Sequence, residues 1–177
     1  MSYCTIAAGH PLHGPYHDME YGFPVGSDDL LFERLVLEIN QAGLSWLTIL
    51  KKREAFRSAF QRFEIDRVAG YGNRERRRLM NDEGIVRNGK KIDAAIENAR
   101  RIQDIREGSG SLDHWLESNH PRTPDEWQRL FKKTFVFTGG EITRSFLLSC
   151  GFLPGAHDDD CPVFKRIAGL NPPFMKE

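Results

Sequence analysis

The stretch of sequence that decides the fold is Arg76-Arg77-Arg78-Leu79-Met80-Asn81-Asp82-Glu83-Gly84-Ile85-Val86-Arg87-Asn88-Gly89-Lys90-Lys91-Ile92. Its pattern predicts a helix, then a short hairpin that starts at Gly84, then a second helix that opens at Gly89. Glycine permits the tight turn that such a hairpin needs. The contacts that lock the two helices together are expected from Leu79, Ile85 and Ile92.

The hairpin also carries the features of a phosphate-binding site. Backbone N–H groups at the start of a helix can hold a phosphate, and basic side chains stand where that phosphate would sit. The stretch therefore predicts a helix-hairpin-helix, a sequence-independent reader of the DNA backbone; an ordinary αα-hairpin with a glycine turn is the alternative. The residues predicted to contact the DNA backbone are Gly84, Val86, Arg87, Lys90 and Lys91.

Charge is distributed unevenly around this stretch. The 177 residues include 25 basic and 25 acidic side chains, and a net charge of zero excludes binding to nucleic acid or acidic membranes through bulk electrostatics. Residues 51–101 nevertheless hold fifteen basic and eight acidic residues, a net of +7, while residues 1–50 sum to −5 and residues 102–177 to −2. The basic block can follow a polyanion, or it can be a pair of solvated helix faces.

Helical signals continue on both sides of the hairpin, and strand signals are nearly absent. Ser27, Ser45 and Thr123 stand at predicted helix starts, and Thr123 forms a capping box with Glu126. The length and an apolar content of 40% predict one compact domain over residues 1–177. We expect an all-α chain with further helices near residues 28–42, 46–61, 74–82, 89–106, 112–118, 124–132 and 140–150.

The cysteine content and the N-terminal residues indicate a compartment. Three cysteines are too few for a disulfide framework, and the start of the chain lacks the basic and apolar regions of a signal peptide. No apolar stretch approaches the ~20 residues needed to cross a bilayer. We therefore expect a soluble, cytoplasmic protein with no membrane partner, whose cysteines are thiols or metal ligands.

Glu38 is a polar anomaly on the predicted helix of residues 28–42. It follows Leu35 by three residues and Leu31 by seven, and so shares their inward face. A carboxylate there is costly unless it is paired, so it marks either a pocket or an ion pair with a lysine or arginine at the rim. Tyr16 and Trp46 can flank it, which suits a flat cationic ligand, although core packing explains the rings equally well.

Two cysteines and two histidines form a candidate zinc site. His157 and Cys161 are four residues apart and would face the same way on a helical turn, while Cys4 and His17 can supply the other half. Such a site would tie the two ends of the chain together and contribute to folding. Four protein ligands leave no position for an activated water, which disfavours a catalytic zinc hydrolase. A chance combination of Cys and His is the alternative.

Taken in order, these residues resemble DNA-3-methyladenine glycosylase I. The resemblance rests on Cys4, Tyr16-His17-Asp18, Glu20-x-Gly22-x-Pro24, Glu38, Gln41-Ala42-Gly43-Leu44-Ser45-Trp46-Leu47-Thr48-Ile49-Leu50-Lys51-Lys52-Arg53-Glu54, the hairpin of residues 84–91 and His157-x3-Cys161. It runs from about residue 4 to residue 161, nearly the whole chain. The combination of the QAGLSW and KKRE stretch with the His-x3-Cys tail is highly specific.

The resemblance implies a fold and an activity. The fold is the all-α helix-hairpin-helix DNA glycosylase fold, with the motif at about 74–101 and a zinc-tied lobe from 1–25 and 110–177. The activity is base-excision repair, in which a monomeric, monofunctional hydrolase cuts the N-glycosidic bond of 3-methyladenine in double-stranded DNA and leaves an abasic site. The implied cofactor is a structural Zn2+ that joins the N- and C-termini through Cys4, His17, His157 and Cys161.

The resemblance also implies how the base is held. Glu38 is the predicted catalytic residue and would accept hydrogen bonds from the base, while Tyr16 and Trp46 would hold the faces of the ring. Methylation at N3 makes the base cationic, so the leaving group is already activated and needs little acid catalysis. The enzyme must extrude the lesion, recognise it and let water attack the sugar.

Three positions depart from the family pattern. The family has Cys-x-Trp near the start, with the tryptophan stacked on the base, whereas Ile6 stands here and offers no π-face. Tyr21 replaces the tryptophan of a Glu-Trp-Gly motif, and Gly139-Gly140 replaces threonines in the turn of residues 137–143. Ile6 and Tyr21 complete the predicted base-binding residues. Ile6 and the Gly139-Gly140 turn motivate the alternative function, a DNA-binding relative with lost or altered base specificity.

Overall fold

The computed structural model describes residues 2–176, and over this range the chain forms helices and no strand. Short 3-10 turns cover Gln61–Phe63 and Pro173–Met175. The all-α prediction is confirmed. The helices are α1 (Tyr3–Ala7), α2 (His13–Met19), α3 (Asp28–Gln41), α4 (Trp46–Ala59), α5 (Ile65–Ala69), α6 (Asn73–Met80), α7 (Gly89–Ser109), α8 (Leu112–Asn119), α9 (Pro124–Thr134), α10 (Gly140–Ser149) and α11 (Pro162–Ala168).

The longer helices begin where the sequence predicts them, because capping side chains fix their first turns. The Ser27 hydroxyl accepts a hydrogen bond from the Leu30 amide at the start of α3, and Ser45 does the same at the start of α4. Thr123 and Glu126 form the predicted capping box of α9. The short helices α1, α2, α5 and α11 were not predicted, because five to seven residues are too few for a periodic pattern.

Helix α3 is the centre of the molecule. Ten consecutive residues, 31–40, are buried, so α3 is covered on all sides. It packs against α4, α7, α8 and α10 around one large apolar core. A smaller cluster lies beside Cys4 and Phe23 and contains Cys161, Val163 and Ile167. Polar residues near the C-terminal end of α3 are therefore held by the most deeply buried helix of the fold.

Helices α6 and α7 form the predicted helix-hairpin-helix. Gly84 is required in the hairpin, since a Cβ there would lie 2.8 Å from the Cβ of Ala55 on α4. Helix α4 also holds the hairpin through Lys52, whose Nζ donates to the carbonyls of Glu83 and Gly84 at 3.1 and 3.2 Å. Leu79, Ile85 and Ile92, the side chains predicted to pack the two helices together, are buried as expected.

Residues 2–176 contain no helix that could cross a membrane. None of the helices in this range combines the length and the apolar character that a bilayer span requires.

Candidate active site and metal centre

A cavity of about 170 Å³ opens where the C-terminal end of α3 meets the start of α4. Its volume suits a ligand smaller than the drug-sized molecules held in pockets of ~300–1,000 Å³. Four of the predicted base-binding residues lie together in its wall, namely Glu38, Tyr16, Tyr21 and Trp46. The complete wall consists of Tyr3, Tyr16, Tyr21, Glu38, Gln41, Trp46 and Ser145.

The aromatic side chains of the wall hold one another in place. The ring centroids of Tyr16 and Trp46 are 5.1 Å apart, those of Tyr16 and Tyr21 are 5.8 Å apart, and those of Tyr3 and Tyr21 are 5.1 Å apart. These spacings fall in the range of favourable aromatic pairs. Because α1, α2, α4 and the loop after α2 each contribute a ring, the wall is formed before a ligand binds.

Three residues of the wall were not predicted. Gln41 follows Glu38 by three residues on α3, so its helical spacing carries the signal that could have found it. Tyr3 precedes the predicted zinc ligand Cys4, and that position gives no signal for the cavity. Ser145 comes from α10, which reaches the cavity only through the tertiary fold, so no local pattern could have indicated it.

Glu38 is buried without a salt-bridge partner. Its side chain is 5% exposed, and burial raises its pKa to about 8. The positive charge of Arg34 offsets part of this rise, but the guanidinium donates to the carbonyls of Glu20 and Ser149 instead of to Glu38. The alternative interpretation, a rim glutamate paired with a lysine or arginine, is therefore wrong for the described residues.

The cavity wall leaves hydrogen-bonding groups unmatched. The Glu38 carboxyl is not stabilised by a hydrogen bond from another side chain of the described chain. The indole Nε1 of Trp46 is buried near the Tyr3 hydroxyl and makes no hydrogen bond of good geometry among the described residues. Unmatched buried polar groups cost free energy, so the wall is complementary to a flat ligand that carries its own donors and acceptors.

Cys4, His17, His157 and Cys161 lie together, with one ligand atom of each within 4.8 Å of the others. The distance from His157 Nδ1 is 3.7 Å to Cys4 Sγ, 3.8 Å to Cys161 Sγ and 3.0 Å to His17 Nε2. A tetrahedral zinc ion with bonds of ~2.0–2.3 Å requires ligand separations of roughly 3.3–3.8 Å. The four residues, called the metal cluster below, therefore come close to the spacing of a four-coordinate metal site, with the two imidazole nitrogens nearer to each other than this range.

The hydrogen bonds around the metal cluster orient both imidazoles toward its centre. The Asp18 carboxylate accepts from His17 Nδ1 at 2.7 Å, and the Tyr21 carbonyl accepts from His157 Nε2 at 2.7 Å. Each ring therefore turns an unprotonated nitrogen toward the other, and burial lowers the pKa of His157, which keeps that ring neutral. Two facing lone pairs and two thiols can bind a metal ion, and such outer hydrogen bonds are typical of ligating histidines.

The hairpin places most of its predicted residues at or near the surface. Arg87 and Lys90 are exposed, and Val86 is partly exposed. Asn88 caps α7 by accepting from the Lys91 amide at 3.2 Å, whereas the N–H groups of Gly89 and Lys90 precede any intrahelical acceptor. This end of α7 can accept an anion such as a phosphate.

The structure corrects the prediction for Lys91. Its side chain is 5% exposed, and Nζ donates to the carbonyls of Asn40 and Ala42 at 2.9 and 2.6 Å. The last carbonyls of a helix have no intrahelical donor, and Lys91 satisfies those at the end of α3. Lys91 therefore joins the hairpin to α3 and is not available to a DNA phosphate.

The structure also corrects the prediction for Ile6. Its side chain is 45% exposed and is not part of the cavity wall. The cavity wall on the side of α1 is formed instead by the ring of Tyr3. Of the other two departures, Tyr21 lies in the wall as predicted, and Gly139 and Gly140 begin α10 without lining the cavity.

Comparisons with known proteins agree on one family. The sequence profile of the methyladenine glycosylase family matches residues 6–129. DNA-3-methyladenine glycosylase 1 of Escherichia coli strain K12 is 36% identical, with 86% of this chain and 92% of that protein covered. The 3-methyladenine DNA glycosylase I of Staphylococcus aureus superposes with a TM-score of 0.82 at 34% identity, over 91% of this chain and 95% of that chain.

A further solved structure concerns a ligand complex. It is a tyrosine-to-phenylalanine variant of 3-methyladenine DNA glycosylase I in complex with 3-methyladenine, with a TM-score of 0.83 and 33% identity over 92% of this chain and 97% of that chain. The profile match covers more than half of this chain, and the identities exceed 30% over most of it. The chain belongs to the methyladenine glycosylase family.

Proposed function

We propose that this chain is an active DNA glycosylase that hydrolyses the N-glycosidic bond of 3-methyladenine in DNA and leaves an abasic site. The observation that carries the proposal is the buried, unpaired carboxylate of Glu38 in a cavity walled by aromatic rings. A cationic flat base supplies what this cavity lacks, namely a positive charge for the carboxylate and a face for the rings.

Glu38 is the residue on which base recognition depends in this proposal. The methylated base is cationic while it is attached to DNA, and a cation beside Glu38 lowers the pKa of the carboxyl and favours its ionised form. The ionised carboxylate accepts hydrogen bonds from the base and stabilises its positive charge. Normal bases are neutral and cannot offset the cost of ionising a buried carboxyl, so the same group discriminates against them.

The mechanism is based on selection and positioning rather than on acid catalysis. The cationic base is already a good leaving group, so the protein must extrude it, hold it and give water access to the sugar. Tyr16, Tyr21 and Trp46 hold the faces and edges of the extruded base. Aromatic stacking on a base contributes ~1–3 kcal/mol, a large share of what extrusion requires.

The loop between α3 and α4 is suited to assist extrusion. Leu44 is 42% exposed in this loop, between the wall residues Gln41 and Trp46. Exposed apolar side chains of this kind act as wedges that separate stacked bases. The hairpin would hold the adjacent phosphate through the start of α7, with Arg87 and Lys90 supplying charge.

The metal cluster completes the proposed enzyme with a structural Zn2+. Cys4, His17, His157 and Cys161 would hold the ion, which as a closed four-ligand site supplies folding free energy and no activated water. The cluster joins α1 and α2 to the segment that precedes α11. Because α1 and α2 also carry cavity residues, we propose that the chain acts as one domain.

We also propose the form of its DNA substrate, its oligomeric state and its location in the cell. Its substrate is double-stranded DNA, because a wedge and a phosphate-binding hairpin are needed only where a base must leave a duplex. A monomer suffices, since one chain supplies the cavity, the hairpin and the metal cluster. A cytoplasmic location is favoured by the free state of Cys4, Cys150 and Cys161.

The proposal is tested by base release from DNA treated with a methylating agent. Purified wild-type protein is expected to release free 3-methyladenine, detected by chromatography, and to leave abasic sites. Glu38→Ala is expected to abolish release without unfolding the protein. DNA binding without any released base, at high concentration of folded wild-type protein, would instead support the DNA-binding relative with lost or altered specificity.

A further inference from the structure

We propose that Tyr3 is a specificity-determining residue that contacts the extruded base from the side of α1. The proposal rests on the proposed function, since it assumes that a methylated base enters the cavity. Tyr3 lies in the cavity wall, whereas Ile6, one turn later on the same helix, does not. The side of the cavity that α1 covers is therefore aromatic and not aliphatic.

The geometry of Tyr3 leaves its ring available to a flat ligand. The Tyr3 ring meets Tyr21 at an interplanar angle of 71° and Tyr16 at 72°, so both are edge-to-face contacts. Among the described residues, the other rings near Tyr3 are also steeply inclined, at 83° for His13 and 56° for His17. None of these neighbours stacks in parallel on Tyr3. A parallel partner is what a planar base can provide.

Tyr3 is held at both ends, so its ring is positioned before the base arrives. The hydroxyl is hydrogen-bonded to Nδ1 of His13 at 3.0 Å, and His13 is itself buried. At the backbone end, Tyr3 is followed directly by Cys4 of the metal cluster. A ring fixed in this way loses little conformational entropy on binding, which makes its contact with a ligand more favourable.

The chemistry of the ring gives the contact its selectivity. The face of a tyrosine ring carries partial negative charge and attracts cations more strongly than neutral groups. Tyr3 therefore favours the positively charged methylated base over neutral bases of the same size. It acts beside the Glu38 carboxylate, and the two residues approach the ligand from different helices.

Three variants test separately the contributions of the Tyr3 ring, the Tyr3 hydroxyl and the nearby side chain of Ile6. Tyr3→Leu keeps apolar bulk and removes the π-face, Tyr3→Phe removes the hydrogen bond to His13, and Ile6→Ala is the matched control on α1. Single-turnover release of 3-methyladenine from methylated DNA is measured, together with thermal unfolding and bound metal. We expect Tyr3→Leu to lower kcat/KM by about 5- to 150-fold, Tyr3→Phe to lower it by less than about tenfold, and Ile6→Ala to have no effect.

The outcomes separate this proposal from the proposed function. If the wild-type protein releases no base, the proposed function fails and the role of Tyr3 fails with it. If the wild type is active and a folded, metal-loaded Tyr3→Leu variant is equally active, only the Tyr3 proposal is overturned. If Tyr3→Leu does not fold, wild-type protein labelled with 3-fluorotyrosine is used to test whether the base contacts Tyr3. The 19F resonance of Tyr3, assigned with Tyr3→Phe, must shift when 3-methyladenine is added, and a resonance that stays in place overturns the proposal.

Discussion

The cavity and the metal cluster are neighbours that share helices α1 and α2, but their polar groups are matched to very different degrees. Helix α1 gives Tyr3 to the cavity and Cys4 to the cluster, and α2 gives Tyr16 and His17 in the same way. In each pair, consecutive residues serve different sites. The position of the cavity wall is therefore linked through the backbone to the geometry of the metal cluster.

The difference between the two sites lies in how completely the polar groups are matched. In the metal cluster, hydrogen bonds from outside fix both imidazoles so that four ligand atoms converge on one point. In the cavity, Glu38 is buried with an elevated pKa and has no paired cation in the part of the chain that the structure describes. A site whose polar groups are paired within the protein stabilises the fold. A site whose polar groups are unpaired gains favourable electrostatic interactions only when a substrate binds.

The largest effect is expected when the metal cluster loses a ligand. Cys161→Ala should abolish tight metal binding and lower the free energy of unfolding by several kcal/mol, because a structural metal contributes its binding free energy to folding. Base release should fall as well, since α1 and α2 carry Tyr3 and Tyr16. Metal content and thermal unfolding, with and without a chelator, measure the effect.

Cys150→Ala is the matched control for this loss. Cys150 is a buried cysteine near Arg34, outside the metal cluster. Its removal should leave metal content unchanged and should cost only the packing of one small side chain. Equal metal content in Cys161→Ala and Cys150→Ala would show that the cluster does not bind the ion, and the contrast between the two sites would disappear.

The second prediction compares two buried glutamates on α3. Glu33 is 3% exposed and is paired with Arg53 and Arg57, at 2.7 and 3.0 Å, whereas Glu38 has no such partner within residues 2–176. Glu33→Gln should destabilise the protein by about 1–3 kcal/mol, because it removes the buried carboxylate shared by Arg53 and Arg57, which keep Glu20 and Glu54 as their remaining partners. Glu38→Gln should stabilise the protein at alkaline pH, because it removes a carboxyl that is costly to ionise.

The effect of Glu38→Gln on activity should be opposite to its effect on stability. Glu38→Gln should lower kcat/KM for 3-methyladenine release by roughly 30- to 1,000-fold, the loss expected for a buried charge contact of ~2–4 kcal/mol. A variant more stable and less active than the wild type is the signature of a site kept unmatched for its substrate. If Glu38→Gln were both less stable and fully active, Glu38 would be a structural residue.

The third prediction is a pH dependence with opposite signs for stability and activity. Burial raises the pKa of Glu38 to about 8, above the ~4.3 of an unfolded glutamate, so the folded protein binds the proton more tightly. This contribution to stability is complete below about pH 4 and is lost as the pH rises toward 8, by up to ~1.4 kcal/mol per pH unit. Activity should rise over the upper part of that window, as Glu38 ionises.

The difference between wild type and Glu38→Gln isolates this effect from other titrating groups. The groups that surround Glu38 are Arg34, Tyr3, Tyr16, Tyr21 and Cys150. Burial raises the pKa of each of these tyrosines and of the Cys150 thiol, so they stay neutral over the window. Thermal unfolding of both proteins from pH 5 to pH 9 should converge at acidic pH and diverge at alkaline pH. Parallel curves would contradict the raised pKa.

The sequence predicts local features of this fold well, because capping and periodicity are local. The caps at Ser27, Ser45 and Thr123 lie where predicted, and Glu38 is buried as its position on the helical face indicates. Grouping the four residues of the metal cluster required the resemblance as well, because its halves are about 140 residues apart. Short-range patterns carry no information about such distances.

Partners of charged side chains could not be predicted from the sequence. The basic block of residues 51–101 is partly neutralised by acidic residues outside it: Arg53 binds Glu20 and Glu33, and Arg57 binds Glu33 at 3.0 Å. The block is therefore less basic toward DNA than its net charge indicates. Tyr3 was missed for a related reason, since its place in the cavity depends on the docking of α1 and not on its neighbours in sequence.

The smallest effects are expected from two adjacent lysines of the hairpin. Lys90 is exposed, so Lys90→Met should weaken DNA binding a few-fold and reduce the slope of log K against log salt by about one. Lys91 is buried against the end of α3, so Lys91→Met should leave that slope unchanged and lower the free energy of unfolding by ~1–3 kcal/mol. DNA titrations at several salt concentrations and denaturant unfolding measure both quantities.

Since Lys91 holds the helix end that carries Glu38 and Gln41, its loss should slow base release while phosphate contacts persist. Equal salt slopes for both variants would mean that the hairpin and the cavity are not divided as the structure indicates.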